Sequence, residues 1–320
     1  MKRSVRRVDS GLGLAELMVA IAVGMLVVLA ASALFVSSSA GYSGQTETSR
    51  LDDNGRYALG LLARAARQTA FINWDGTAAP AGLAGEDSPN IAGLDARTIG
   101  RAADGIDAPL VAGVVNGSDV LALRYYGAGP AGAGDGSVLN CAGFGVGEGA
   151  AAADRGWSIF YVAQDAGGEA ELRCKYRGAS SWGADAIVRG VDSFQVLYGL
   201  DTDTPSDGVA NRFINAGGID ALDALLALSG ADAAARLEDL HRQTWWKRVV
   251  SIKIALLLHG QPGSRGDSLP VSYALFGPEY AGMAGLDAGV MIDEKTLAKS
   301  LQLRARRLMV TTIVLRNRPA

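Results

Sequence analysis

A single acidic residue at the edge of a long apolar run is the first group in this chain whose chemistry needs an explanation. Glu16 stands directly before residues 17–36, a run of 20 residues without a charge. A charged side chain costs about 2.5–3.5 kcal/mol at a bilayer centre and less near the interface. Glu16 is therefore a candidate for pairing with a positive charge. The simpler alternative is that its carboxylate reaches the interface beside a single-pass anchor.

An acidic turn in the second half of the chain offers oxygen ligands for a cation. Asp201, Asp203 and Asp207 lie close together in the sequence, and carboxylate oxygens are ligands that Ca²⁺ prefers. The spacing is not that of an EF-hand, because Arg212 occupies the position of the closing glutamate. Two interpretations stay open: a calcium site made by the three aspartates, or a solvated turn of Asp, Pro and Gly.

The sequence contains no constellation typical of an enzyme. The patterns G-x-S-x-G and H-E-x-x-H are absent, as is a glycine-rich loop followed by Lys-Ser or Lys-Thr. His241 lies in a charged segment and is interpreted as a surface residue, and His259 is interpreted as a turn residue before Gly260. Trp245 and Trp246 are interpreted as core or subunit-interface residues. We therefore predict that the protein is not an enzyme.

The element that must position Glu16 is a helix long enough to cross a membrane. Twenty helical residues span about 30 Å, the hydrocarbon thickness of a bilayer. The run is preceded by four basic residues, Lys2, Arg3, Arg6 and Arg7. By the positive-inside rule, the N-terminus stays in the cytoplasm and the chain after Val36 lies across the membrane.

The helical pattern continues beyond the apolar run. Apolar residues recur at helical spacing from Leu51 to Ala70, which is typical of an amphipathic helix packed on a domain. We predict one helix over residues 12–72, with residues 12–36 in the membrane. The remaining residues, 73–320, form a head domain in the periplasm.

The N-terminal segment resembles the class III leader of type IV pilins and of type II secretion pseudopilins. In that family a short basic leader ends in Gly, a dedicated inner-membrane peptidase cuts after it and methylates the new N-terminus, and Glu stands at the fifth mature position. By this resemblance residues 1–11 are a leader ending at Gly11, Leu12 is the first mature residue in place of the usual Phe, and Glu16 is the fifth. A cut after Gly13 would make Glu16 the third residue and is rejected.

The resemblance implies a partner for the carboxylate of Glu16. The freed amine of Leu12 in a neighbouring subunit would pair with it for about 4 kcal/mol before desolvation, at about 4 Å and an effective dielectric constant near 20. A rival interpretation is a secretory signal peptide cut near residues 38–40. Its apolar core would be only roughly 7–15 residues long, and it has no use for Glu16.

Two cysteines, Cys141 and Cys174, belong to the predicted head domain. An oxidising compartment beyond the membrane favours a disulfide between them. In the chain-entropy picture such a bridge would stabilise the head by about 3–4 kcal/mol. The alternatives are two buried free thiols or a metal pair. The two histidines lie far away in the sequence and make the case for zinc weak.

Short strand-like runs separated by glycine-rich turns predict an antiparallel sheet in the head. Two segments also resemble the PilW family of pilus-assembly proteins: residues 190–201 read G-V-x-x-x-Q-V-x-Y-G-x-D, and residues 306–318 read R-R-x-x-x-T-T-x-x-L-R-N-R. The resemblance implies an α+β, pilin-like fold, in which a long N-terminal α-helix packs on an antiparallel β-sheet head with large loop insertions.

The same resemblance implies a minor pilin that primes assembly of a type IV pilus and sits at its tip. Its partners would be other minor pilins, the major pilin, the prepilin peptidase and the inner membrane. The formal net charge is −3, or −6 after loss of a leader that carries +3 (−3 − 3 = −6). The head lacks a basic stripe, so no nucleic-acid partner is expected. The alternatives are a tip-proximal type II secretion pseudopilin or a membrane-anchored periplasmic enzyme.

Overall fold

The longest element of the chain is helix α1, Leu14–Gln68, which has 55 residues and a length of about 80 Å. The computed structural model describes residues 13–73, 85–178, 180–265, 267, 269–283 and 287–317, so Gly11 and Leu12 lie outside the described residues. The helix ends before residue 72 because Thr69 is extended and Ala70 has a φ of 59°, which turns the chain away from the helix axis.

The two halves of α1 have different surroundings. Its side chains are exposed from residue 14 to residue 39. From Leu51 onwards a stripe at helical spacing is buried against the head, including Ala58 and Leu62, which are both 0% exposed. A Cβ on Gly55 would lie 1.9 Å from Sδ of Met309, so this glycine lets the helix approach the head closely.

The first sheet has five antiparallel strands in the order β1-β4-β5-β6-β7. A short ribbon of β2 and β3 lies between β1 and β4 in the sequence. The bounds of these strands are β1 Ile91–Leu94, β2 Thr98–Ile99, β3 Pro109–Leu110, β4 Val120–Tyr125, β5 Gly156–Gln164, β6 Ala170–Arg177 and β7 Trp182–Arg189.

The second sheet has four antiparallel strands in the order β13-β10-β8-β9, and β11 pairs with β12 in a separate ribbon. Helices α2 and α3 follow β9, and α4 follows β11. The bounds of these elements are β8 Val191–Leu200, β9 Arg212–Ile214, α2 Ala216–Asp223, α3 Ala233–Gln243, β10 Val249–His259, β11 Ser272–Ala274, α4 Pro278–Met283, β12 Met291–Asp293 and β13 Arg306–Val314.

The chain passes from the first sheet to the second at Gly190, between β7 and β8. Gly190 has a φ of +76°, and a Cβ there would lie 2.6 Å from the carbonyl oxygen of His259. Only glycine fits this corner without strain. The predicted α+β class, with a long helix on antiparallel β-structure, is confirmed, and the single predicted sheet is divided into two by this corner.

The main core lies between α1 and the two sheets. Leu62 of α1, Phe160 of β5 and Leu256 of β10 belong to one apolar cluster and are each 0% exposed. A smaller cluster on the other face of the first sheet includes Ile99 and Tyr161. The head therefore buries its main apolar side chains against one another and against the second half of α1. The apolar side chains of the first half of α1 stay exposed.

Candidate functional site

The exposed half of α1 presents a continuous apolar surface. Its window of highest hydropathy has a mean value of 2.7 and is 0% buried. Among the described residues, α1 is the one helix long and apolar enough to cross a membrane by length and composition. Leu14 is 79% exposed and Phe35 is 75% exposed. Such a surface is stable only against lipid or against other apolar helices.

Glu16 lies in the first turn of α1. Its Oε2 accepts a hydrogen bond from the backbone N–H of Gly13 at 3.1 Å. The carboxylate thus satisfies one of the helix's unpaired N–H groups and sits where the helix dipole favours negative charge. This position also presents it to any positive charge that approaches the start of the helix.

The structure brings the three predicted aspartates together in the turn after β8. Carboxylate oxygens of Asp201, Asp203 and Asp207 lie within 4.8 Å of one another. Oδ2 of Asp201 accepts hydrogen bonds from Oγ of Ser206 at 2.5 Å and from the N–H of Gly208 at 2.6 Å. The bond from Ser206 and the backbone N–H donors lower the pKa of Asp201 below its usual value.

These hydrogen bonds bear on the two interpretations of the turn. Both oxygens of Asp201 already accept protein donors, because Oδ1 also accepts the N–H of Asp203 at 3.1 Å. Asp203 and Asp207 are exposed, and their oxygens are of the kind that Ca²⁺ binds. The spacing suits a calcium ion, and the turn also holds itself together by hydrogen bonds. Calcium binding therefore stays a prediction.

The predicted disulfide is confirmed: Cys141 and Cys174 are bonded, with their Cα atoms 5.8 Å apart. Cys174 lies on β6, and Cys141 lies in the long loop between β4 and β5. The segment around Cys141 forms only an isolated bridge between Leu139 and Gly145. The bond therefore ties a loop to the sheet.

The interpretation of His259 as a turn residue is wrong. It ends strand β10, and its side chain is 1% exposed. Its Nδ1 lies 2.9 Å from Oδ1 of Asp192 and its Nε2 lies 2.6 Å from Oε1 of Glu169. Each ring nitrogen therefore lies within hydrogen-bonding distance of a different carboxylate.

A chain of buried charges continues from His259. The second carboxylate oxygen of Asp192 accepts from Nε of Arg306 at 2.6 Å, and Arg306 also pairs with Glu294 at 3.0 Å. Glu294 in turn pairs with Arg265 at 2.8 Å. This network joins β8, β10 and β13. Both ring nitrogens of His259 are engaged by carboxylates, so the arrangement is structural and leaves the ring no nitrogen with which to activate a nucleophile.

Sequence reasoning missed this network, although it contained one signal. Asp192 is the single charged residue of β8, whose ten residues are all buried, and a charge in such a strand needs a partner. By contrast, the tryptophan pair agrees with its interpretation as core, since Trp246 is 7% exposed and stacks edge-on against Tyr198. His241 bonds the carbonyl of Glu86 near the surface.

Three comparisons with known proteins bear on this architecture. The model of the family described as "Type IV Pilus-assembly protein W" (PilW) matches residues 159–317, which run from β5 to the end of the described chain. Among solved structures, a type IV-like pilin from Thermus thermophilus matches with 13% identity, 84% of this chain and 96% of that chain covered, and a TM-score of 0.34. No curated protein matches the sequence.

Proposed function

We propose that this chain, a PilW-like protein over residues 159–317, is a minor pilin that primes assembly of a type IV pilus and sits at its tip. The observation that carries the proposal is the divided helix α1. Its second half is packed into the head, and its first half exposes an apolar surface that none of the described head residues covers. That surface is what neighbouring helices in a filament would bury.

The position of Glu16 supports the proposed assembly. A helix moving from lipid into a bundle of helices finds little difference in apolar contact, because lipid tails are as apolar as leucine. A charge pair between neighbouring subunits would fix the register of their helices, which apolar packing alone does not fix. Glu16 at the start of α1 would accept the freed amine of Leu12 from a neighbouring subunit.

The topology also follows from the proposal. The protein would begin in the inner membrane with its head in the periplasm, where the Cys141–Cys174 bond is stable. The prepilin peptidase would cut after Gly11 and methylate Leu12. The head would then contact other minor pilins and the major pilin at the filament tip. The role is recognition rather than catalysis, in agreement with a family of pilus-assembly proteins.

The mature N-terminus tests this proposal. Mass spectrometry of the protein from its native membrane should find a peptide that begins with methylated Leu12. Gly11→Val should abolish the cut, whereas Gly13→Ala should leave it unchanged if the cut follows Gly11. A Cβ on Gly13 would meet no atom within 4 Å, so this control does not disturb the start of α1. An uncut chain, or a start near residue 41, would remove the basis of the pilin proposal.

A type II secretion pseudopilin would carry the same leader and the same helix. Deleting the gene separates the two roles. Loss of surface pili or of twitching motility would support the pilus role. Loss of protein export with pili intact would show that the assembly machine is a secretion system.

A further inference from the structure

A cleft of about 790 Å³ opens at one end of the first sheet, where β5 begins and β6 ends. One wall is the loop between β4 and β5, which contributes glycines and Phe144. The other wall contains Trp157, Tyr176 and Arg177. The volume lies in the range of small-molecule sites, roughly 300–1,000 Å³. We call it the aromatic cleft.

The disulfide builds this cleft. Oδ1 of Asn140 accepts the N–H groups of Ala142 and Phe144 at 3.0 and 3.1 Å, which fixes a tight turn directly after Cys141. The bond to Cys174 then holds the turn beside β6. As a result, the Phe144 ring lies 5.1 Å from the ring of Tyr176, between centroids. Phe144 is nevertheless 55% exposed, so its ring faces the open space.

A second groove of about 530 Å³ continues from the aromatic cleft and shares Trp157 and Arg177 with it. Trp182 lines this groove, and its ring packs edge-on against Trp157 at 5.8 Å. The guanidinium of Arg124 stacks over Trp157 at 4.2 Å. Aromatic rings therefore occur along the whole length of the two openings.

The charges are balanced in the aromatic cleft, which has two acidic and two basic side chains, and they are mainly negative in the second groove. Nine side chains carry a formal charge, six of them acidic and three basic: Glu86, Asp87, Asp104, Asp107, Glu148 and Asp154 against Arg124, Arg155 and Arg177. Arg155 is 1% exposed and donates to Ser88 and Asn90, so it adds little to the surface. A nucleic-acid strand needs a basic groove along its phosphates. The balanced charges of the cleft supply no such groove, and the acidic side chains of the second groove repel phosphates.

From this lining we propose that the aromatic cleft binds a neutral oligosaccharide. A pyranose ring has an apolar C–H face that packs on an aromatic side chain, and its hydroxyl groups donate to carboxylates and accept from arginine. The cleft offers both kinds of group around Phe144, Tyr176 and Arg177. A neutral sugar meets no charge repulsion from the cleft or from the acidic groove beside it. This binding is separate from filament assembly and does not depend on it.

Isothermal titration of the full-length chain in detergent tests the proposal. The probes are cellohexaose, maltohexaose and N-acetylchitohexaose, with a dodecamer of thymidylate as the anionic comparison. At least one hexaose should bind and the oligonucleotide should not. Phe144→Ala should weaken that binding about tenfold, the effect expected from one lost aromatic contact.

Tyr57→Ala is the matched control, because Tyr57 is 59% exposed but lies on α1, away from the cleft. The affinity of the Tyr57→Ala variant for the sugar should equal that of the parent chain. Since Phe144 is exposed, its variant should keep the unfolding midpoint of the parent chain. Opening the disulfide by Cys141→Ser should weaken binding as much as Phe144→Ala does.

Three results would overturn the proposal. The first is that no hexaose binds at millimolar concentration. The second is that the oligonucleotide or a basic peptide binds in place of the sugars. The third is sugar binding that Phe144→Ala does not weaken. None of these results would alter the leader cleavage on which the pilus role rests, so the two proposals fail separately.

Discussion

The two halves of helix α1 show how one continuous element can serve two purposes. From residue 14 to residue 39 its side chains are exposed, and from Leu51 onwards its apolar stripe is buried in the head. The backbone is the same helix throughout. What differs is whether the chain itself supplies a partner. The head provides its own apolar and charged partners, whereas no described residue covers the first half of α1.

Removing a buried charge partner from the head should have the largest effect on stability. We expect Asp192→Ala to lower the free energy of unfolding by about 3–5 kcal/mol, because it removes the buried carboxylate that Nδ1 of His259 and Nε of Arg306 share. Thermal or denaturant unfolding of the full chain in detergent measures this loss. Asp53→Ala, on the exposed side of α1, should change the free energy by less than about 0.5 kcal/mol. Equal losses in the two variants would contradict the contrast between head and helix.

A matched pair of leucines on the same helix tests the comparison directly. Leu62→Ala, in the core, should lower the free energy of unfolding by about 2–5 kcal/mol. Leu26→Ala, at a position that is 66% exposed, should leave it unchanged. Unfolding followed by circular dichroism gives both values. If Leu26→Ala destabilised the isolated protein, its half of the helix would have a partner within the chain.

The disulfide ties the loop that contains Cys141 to β6, and both cysteines belong to the main apolar cluster. Replacing both cysteines by serine should lower the free energy of unfolding by about 3–4 kcal/mol in the chain-entropy picture, and the apolar half of α1 should be unaffected. Denaturant unfolding with and without reductant measures the loss. A reductant effect on the double variant would show that the change does not come from the disulfide.

The stability of the acidic turn should depend weakly on pH. The folded-state pKa of Asp201 is lowered from 3.8, so its contribution to stability is present above that value and is lost as the pH falls through the folded-state pKa. Protection of the Gly208 amide from hydrogen exchange should therefore fall below about pH 4. Asp201→Asn should remove this pH dependence. Persistence of the same pH dependence in the variant would assign it to another group.

Calcium offers an independent test of the same turn. If Asp201, Asp203 and Asp207 hold the ion, titration with Ca²⁺ should give saturable heat that Asp203→Asn abolishes. Asp185→Asn, a change of an aspartate outside the turn, should leave the heat unchanged. Absence of heat would leave the turn as a hydrogen-bonded structure without an ion.

Two glutamates on α1 should show the smallest change in stability and the sharpest contrast in function. Glu16→Gln should leave the unfolding of the head unchanged and prevent incorporation into pili. Glu47→Gln weakens the hydrogen bond that the carboxylate accepts from the N–H of Gln261 at 2.9 Å, so it should cost about 1 kcal/mol and leave incorporation intact. Quantifying the protein in sheared pili separates the two outcomes. Normal incorporation of Glu16→Gln would contradict its proposed pairing.

Local patterns explain what could be predicted. The apolar run after Glu16, the helical stripe that includes Leu62 and the strand-like segments depend on spacing along the chain, which a sequence displays directly. The pairing of Cys141 with Cys174 followed from there being only two cysteines on the far side of a membrane anchor. The ends of helices and strands were harder to predict. Helix α1, for example, ends where Ala70 adopts a positive φ, which the spacing of apolar residues does not indicate.

Long-range partners could not be predicted in the same way. Glu169 and His259 are 90 residues apart in the sequence, and nothing local says that their side chains meet. Asp192 lies in a segment that resembles the PilW family, but its partners His259 and Arg306 come from β10 and β13, far along the sequence. The Gly190 corner that divides the sheets is visible only once His259 lies opposite it. These contacts depend on strand order, which a single sequence does not display.

Local spacing along the chain was enough to predict the membrane-competent helix, the place of Glu16 at its start and the antiparallel strands, and a count of two cysteines favoured the disulfide. The division into two sheets, the burial of His259 between carboxylates and the place of Phe144 beside Tyr176 in a cleft became visible only in the folded chain. Each of these depends on which distant strands become neighbours. That choice is made by the packing of the whole head against α1.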